Sequence, residues 1–256
     1  MRATSDWSAL GRLGNRTLLL ACLAAILAAS LVAPVSAQVV IPSVPGTANP
    51  YLSGMPNGST CCGGDSAPSQ SPVPVTGIAL VPGSTLTFTV TGSVNFAPGP
   101  SGDPPDGGTA ATTPANNGMS GASWPANALV GVFLDNSLPT ATPAPADLNF
   151  STPGSTSFAT LSPALKQAFF IGDGRTGNGT GTVQTFVVPA GATQLFLGTS
   201  DGFGWFNNSG SFAVTVTATT PPPTAGSAAI PTLSLPMLIA MSLALAGAAI
   251  LAMRRR

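Results

Sequence analysis

Charge is what this chain has least of. Only 6% of its 256 residues are charged, against roughly a quarter in an ordinary soluble domain. Histidine is absent and the acidic residues are all aspartates. Histidine-based triads, histidine-ligated zinc and paired-glutamate hydrolysis are therefore excluded. Arg2, Arg12, Arg16, Arg254, Arg255 and Arg256 crowd the two ends, leaving Lys166 and Arg175 as the only cations between them. A nucleic-acid partner would need a basic stripe to neutralise phosphates, so none is expected. Serines and aspartates are plentiful, but the only general base beside them is Lys166, and no enzymatic activity is expected.

What the chain has in quantity is apolar sequence at its ends and 30 Gly and 26 Pro. Residues 18–32 form an apolar run after a basic start, followed by Val35-Ser36-Ala37. That is the plan of a secretory signal peptide cut after Ala37, expected over 1–37; a retained anchor is disfavoured by the short run and by Pro34. Leu19-Leu20-Ala21-Cys22 also suggests a lipidation site, but too few apolar residues separate Arg16 from Cys22. At the other end, Met237 to Met253 carries no charge and precedes three arginines. Such a run reaches about 26 Å as a helix, close to a ~30 Å hydrocarbon core, and the arginines should stay cytoplasmic. The inner membrane is thus an expected partner through 237–253.

Between the ends, residues 38–73 are rich in Pro, Gly, Ser and Thr and read as an extended or mobile lead-in. They hold Cys61-Cys62, which export would place in an oxidising compartment. Neighbouring cysteines close only a small ring, so the pair reads either as a thiol pair that bridges two chains or as an incidental loop feature. A Pro-rich spacer follows at 219–229. The region 74–218 reads as one antiparallel β-sandwich. Leu86, Phe88 and Val90 alternate with threonines, and Val183 to Val188, Gln194 to Leu197 and Phe212 to Val216 repeat the pattern. Pro82-Gly83, Pro189-Ala190-Gly191 and Asn207-Asn208-Ser209-Gly210 mark turns. Only Ser162 to Phe169 hints at a helix. Gly172 to Gly177 matches a dinucleotide-binding pattern by letters, but no helix follows it, and a glycine-rich strand connection is expected.

The order Ile230-Pro231-Thr232-Leu233, apolar helix, Arg254-Arg255-Arg256 resembles the IPTL-CTERM sorting signal of Gram-negative bacteria, a relative of PEP-CTERM signals, over 230–256. The resemblance implies recognition by an exosortase-type protease and transfer to the cell surface or extracellular matrix. Ala128 to Val132 and Phe169 to Gly174 resemble exported proteins that join a further domain to a CTERM signal, and the resemblance for that domain itself rests on Thr91 to Gly99 and Ser200 to Phe212. These look like the PA-IL-like fold of bacterial galactophilic lectins, a jelly-roll-like β-sandwich whose members hold calcium that coordinates sugar hydroxyls. Carried over, the resemblance implies calcium held by Asp201, Asn207, Asn208 and the backbone carbonyls of Phe96 and Trp205. One aspartate with amides and carbonyls suits weak binding of a hard cation. The competing reading of Asn207 to Gly210 is a plain hairpin turn. Trp205 and Phe203 are expected to stack on carbohydrate, although a tryptophan beside a loop is also ordinary core. The lectin's sugar-contacting histidine has no counterpart here. The expected function is an exported, lectin-like surface or matrix protein; the alternative is a structural matrix component without a small ligand.

Overall fold

A computed structural model describes residues 35–96, 102–152 and 154–220. Most of the expected signal segment, the membrane helix of 237–253 and the sorting residues Ile230 to Leu233 and Arg254 to Arg256 lie outside the described residues. Among those described, no helix is long and apolar enough to cross a membrane.

The described chain is all-β. Nine strands form its two main sheets: β1 (Val35–Pro45), β2 (Val73–Pro74), β3 (Thr85–Asn95), β4 (Leu129–Leu134), β5 (Thr160–Leu161), β6 (Ala168–Phe170), β7 (Thr185–Val187), β8 (Gln194–Thr199) and β9 (Ser209–Thr220). The larger sheet has the order β1-β9-β3-β7-β5 and the smaller β6-β4-β8-β2. Every neighbouring pair is antiparallel except β5 with β7.

Threonine alternation gives the larger sheet one apolar face, because successive strand side chains point to opposite sides. Leu86, Phe88 and Val90 from β3 and Phe212, Val214 and Val216 from β9 are buried, with Val214 opposite Val90 and Val216 opposite Phe88. Phe186 of β7 meets Phe88 edge to face at 5.1 Å and reaches Phe169 of β6 in the other sheet at 5.7 Å. Phe169 in turn stacks on Phe133 at 5.2 Å. One core therefore lies between the sheets, in a sandwich-like arrangement. All six residues of β4 are buried, as expected of a strand covered on both faces.

Residues 38–73 are not a mobile lead-in. β1 pairs with β9 from Val35 opposite Thr220 to Pro45 opposite Ser211, so the signal cleavage expected after Ala37 falls inside a strand. The next stretch, 46–72, folds as a clip over the end of the sandwich. Its short 3-10 helix, Pro50–Leu52, is capped by Asn49, whose side chain accepts the Tyr51 amide at 2.9 Å. Tyr51 is fully buried between Trp124 (6.3 Å) and Trp205 (5.9 Å). The stretch is poor in apolar residues, but Ala48, Tyr51 and Leu52 all face the core, and that suffices to order it.

One other expectation changes. Ser162 to Phe169 is a turn running into β6, since burial of Ala168, Phe169 and Phe170 together demands a strand. A small separate sheet is formed by Ala110–Thr113, Ala122–Pro125 and Leu148–Asn149. The Gly172 to Gly177 stretch leads into the hairpin of Arg175–Gly177 with Thr180–Val183, where the Asp173 carboxylate accepts the Arg175 and Gly179 amides.

If the clip belongs to the core, Tyr51→Ala should cost about 3–5 kcal/mol, as for other fully buried rings. Chemical denaturation of the variant measures this, and an unchanged unfolding midpoint would return the segment to a lead-in.

Candidate cation and ligand site

The loop from β8 to β9, residues 200–208, brings together most of the residues singled out by sequence. Ser200 anchors its start: its hydroxyl accepts the Ala128 amide at 2.7 Å and donates to the Pro125 carbonyl at 2.5 Å. The backbone carbonyl of Asp201 accepts the Thr113 hydroxyl and the Trp124 indole N–H. Its carboxylate turns back on its own loop, with Oδ1 accepting the Gly202 and Phe203 amides at 2.5 and 3.3 Å. Its Oδ2 is buried and has no hydrogen-bond partner.

Asn208 sits beside that carboxylate. Its Nδ2 donates to the Gly46 carbonyl at 3.1 Å, which fixes the amide's orientation, and its Oδ1 is likewise buried without a partner. Asn207 is exposed. β3 ends with Asn95 opposite Ser209, so Phe96 and Asn208 are the next residues on the two strands. The loop thus gathers Asp201, Asn207, Asn208 and Phe96 at one end of the sandwich.

The hairpin-turn reading of Asn207 to Gly210 does not hold. Trp205–Asn207 form a 3-10 turn that the Asn208 amide closes on the Trp205 carbonyl at 3.1 Å, and β9 starts directly afterwards. Gly210 does adopt a positive φ of 81°, but inside the strand. A Cβ there would come within 2.3 Å of the Ser93 carbonyl oxygen, so glycine is required by close approach of β3.

Trp205 is not available to stack on a ligand. It is 0% exposed, its ring packs on Tyr51, and its indole donates to the Thr199 carbonyl at 2.7 Å. The rings at the surface are Phe203 (72% exposed), Phe206 (56%) and Phe96 (43%). Phe203 lies against Gly63 of the clip, where a Cβ would stand 2.7 Å from the ring.

The cysteine pair is also corrected. Cys61 and Cys62 are joined to each other as a vicinal disulfide, not to another chain. Cys61 ends the first of two short strands, Thr60–Cys61 and Asp65–Ser66, and Cys62 opens the turn between them, where Cys62, Gly63 and Gly64 are all at positive φ.

Asp65, at the end of this turn, was not visible to sequence reasoning. It is fully buried, and its carboxylate accepts three N–H groups: Asn49 Nδ2 and the Trp205 amide on Oδ2, and the Phe206 amide on Oδ1. Trp205 lies 140 residues further along the chain, and no spacing rule spans that distance.

Burial raises the Asp65 and Asp201 carboxyls above the ordinary range, opposed by their hydrogen bonds, and the Asp65 charge adds slightly to the effect at Asp201. Asp106 is raised too, first by burial and then by the Asp173 charge, while the Asp173 amide it accepts works the other way. Compared with protein families, characterised proteins and solved structures, the chain matches none.

A carboxyl raised on folding makes the native state hold its proton more tightly than the unfolded chain does. Stability is then greatest below the unfolded value and is lost as pH rises through the folded one. The melting temperature in chelator should therefore fall from about pH 4 toward neutrality. A melting temperature rising over that window would contradict the assignment.

Proposed function

We propose that this chain is an exported, lectin-like domain that binds calcium at the 200–208 loop and, through the ion, carbohydrate hydroxyls. The observation that carries the reading is that one loop holds two buried oxygens without a hydrogen-bond partner, Asp201 Oδ2 and Asn208 Oδ1, on residues whose side chains meet. Buried polar atoms without partners are costly, and a hard cation is a partner that both oxygens would accept. Calcium takes six to eight oxygens; the exposed Asn207 and the Phe96 carbonyl would add to the set, leaving positions for water or sugar. The Trp205 carbonyl already closes the 3-10 turn. Phe203 and Phe206 would offer their rings to the apolar face of a sugar.

The all-β sandwich-like fold and the resemblance of Ser200 to Phe212 to galactophilic lectins support the same reading. The sorting resemblance of 230–256 would place the domain at the surface or in the matrix of a Gram-negative cell after handling by an exosortase-type protease. β9 runs from Ser209 beside the loop to Thr220, about 36 Å at roughly 3.3 Å per residue. The site and the exit toward the spacer thus lie at opposite ends of one strand.

The test is thermal unfolding of the full chain in calcium and then in chelator. At about 100 times Kd, calcium should add about 2.7 kcal/mol, and Asp201→Asn should abolish the gain. At about pH 4 the gain should shrink, since a protonated Asp201 is a poor ligand. No calcium effect at millimolar concentration would leave the alternative, a structural matrix component without a small ligand. Where calcium does bind, Phe203→Ala should weaken retention on immobilised galactosides without altering the calcium shift.

A further inference from the structure

We propose that Asp65 is a positioning residue for the 200–208 loop and that the 46–72 clip exists to deliver its carboxylate there. This rests on the reading of that loop as the ligand site. The 3-10 helix Trp205–Asn207 starts at Gly204, which has no side chain to cap it. Its first two amides, Trp205 at 2.9 Å and Phe206 at 2.8 Å, donate instead to the two oxygens of Asp65. The cap that a Ser or Asp at position 204 would give locally is supplied from far along the chain. Asn207 and Asn208 follow directly, so the direction of this turn sets where both amide side chains point.

The clip is built to hold that carboxylate still. Asn49 uses both ends of its amide, accepting the Tyr51 amide and donating to Asp65 Oδ2 at 2.9 Å. Gln70 accepts the Ser66 amide through Oε1 at 2.9 Å and the Asn49 amide through its backbone carbonyl at 2.8 Å. Asn117 ties the clip down from outside, donating to the carbonyls of Tyr51 and Thr60. A fully buried carboxylate whose three donors are all neutral is an expensive way to achieve packing alone. Its two oxygens meet donors on both sides, which a single amide oxygen cannot do.

The experiment compares the full chain with Asp65→Asn, using terbium as the probe ion and amide hydrogen exchange residue by residue. In Asp65→Asn the Trp205 and Phe206 amides should exchange at least about tenfold faster while Val214 and Val216 in β9 keep their protection. Terbium affinity should fall about tenfold, the usual effect of losing a group that orients metal ligands. Asp135→Asn, a change at a partly exposed aspartate outside both the loop and the clip, should move neither readout. Asn49→Ser keeps an oxygen for the Tyr51 amide and withdraws only the hydrogen bond to Asp65; it should shift both readouts the same way by less, and it serves if Asp65→Asn does not fold. Unchanged protection at Trp205 and Phe206 would overturn the proposal, as would wild-type terbium affinity in a variant whose two amides have loosened. A wild-type chain that takes up no terbium would sink the calcium reading alone, and the exchange pattern would then decide whether Asp65 positions the loop.

Discussion

The pairing of β9 on both of its edges is the constraint from which the rest of the molecule follows. β3 lies along one edge from Asn95 to Thr85 and β1 along the other from Pro45 to Val35. β9 is paired on both edges over most of its length, and its first residue, Ser209, is held by Asn95 of β3. The loop that enters it at Asn208 inherits that rigidity. Gly92 and Gly210 are the local cost: a Cβ at either would meet a carbonyl oxygen of the neighbouring strand at 2.3 Å. Glycine loses more conformational freedom on folding than other residues, and close strand approach at these two points offsets that loss.

Trp205 shows how the loop is tied to that frame. Its indole donates to the last residue of β8, its ring packs on Tyr51 of the clip, and its backbone amide donates to Asp65. Two separate stretches of chain, the end of β8 and the clip, therefore converge on one residue of a 3-10 turn. Phe203 and Phe206 stay at the surface because the backbone beside them is committed: Asp201 and Asp65 hold their amides while Gly63 leaves room for the Phe203 ring. Exposed aromatic rings on a pinned backbone lose little freedom on meeting a ligand.

Much of this was legible in the chain and some was not, for physical reasons. The alternation at Leu86, Phe88 and Val90 and at Phe212, Val214 and Val216 announces half-buried strands, because period two is set by the pleat itself. Asp201, Asn207 and Asn208 could be singled out through the resemblance of Ser200 to Phe212 to galactophilic lectins, and they share one short loop. The clip could not be read. Its composition is that of a linker, and its order depends on a few side chains, Tyr51 and Leu52 above all, finding a surface formed by residues far away. Asp65 was hidden for the same reason, since a lone aspartate after two glycines looks like turn chemistry. The two roles open to Trp205, stacking platform and core, differ only in which way a ring faces, and sequence does not encode that without the neighbours.

The scarcity of charge then bears on chemistry. Lys166 and Arg175 are the cations of the described residues, and both donate N–H groups to backbone carbonyls: Lys166 to Pro139, Thr142 and Pro143, Arg175 to Gly181. Neither reaches the raised carboxyls of Asp65, Asp106 or Asp201. Asp65 is stabilised by three neutral donors, which satisfy its oxygens but leave its charge in place. Asp201 has donors on one oxygen only. An ionised carboxylate in such surroundings gains most from a positive charge brought from outside, because nothing in its surroundings supplies one and burial weakens the screening by water. The same poverty of cations leaves the Asp201 carboxylate without a counter-charge from Lys166 or Arg175, the cations of the described residues.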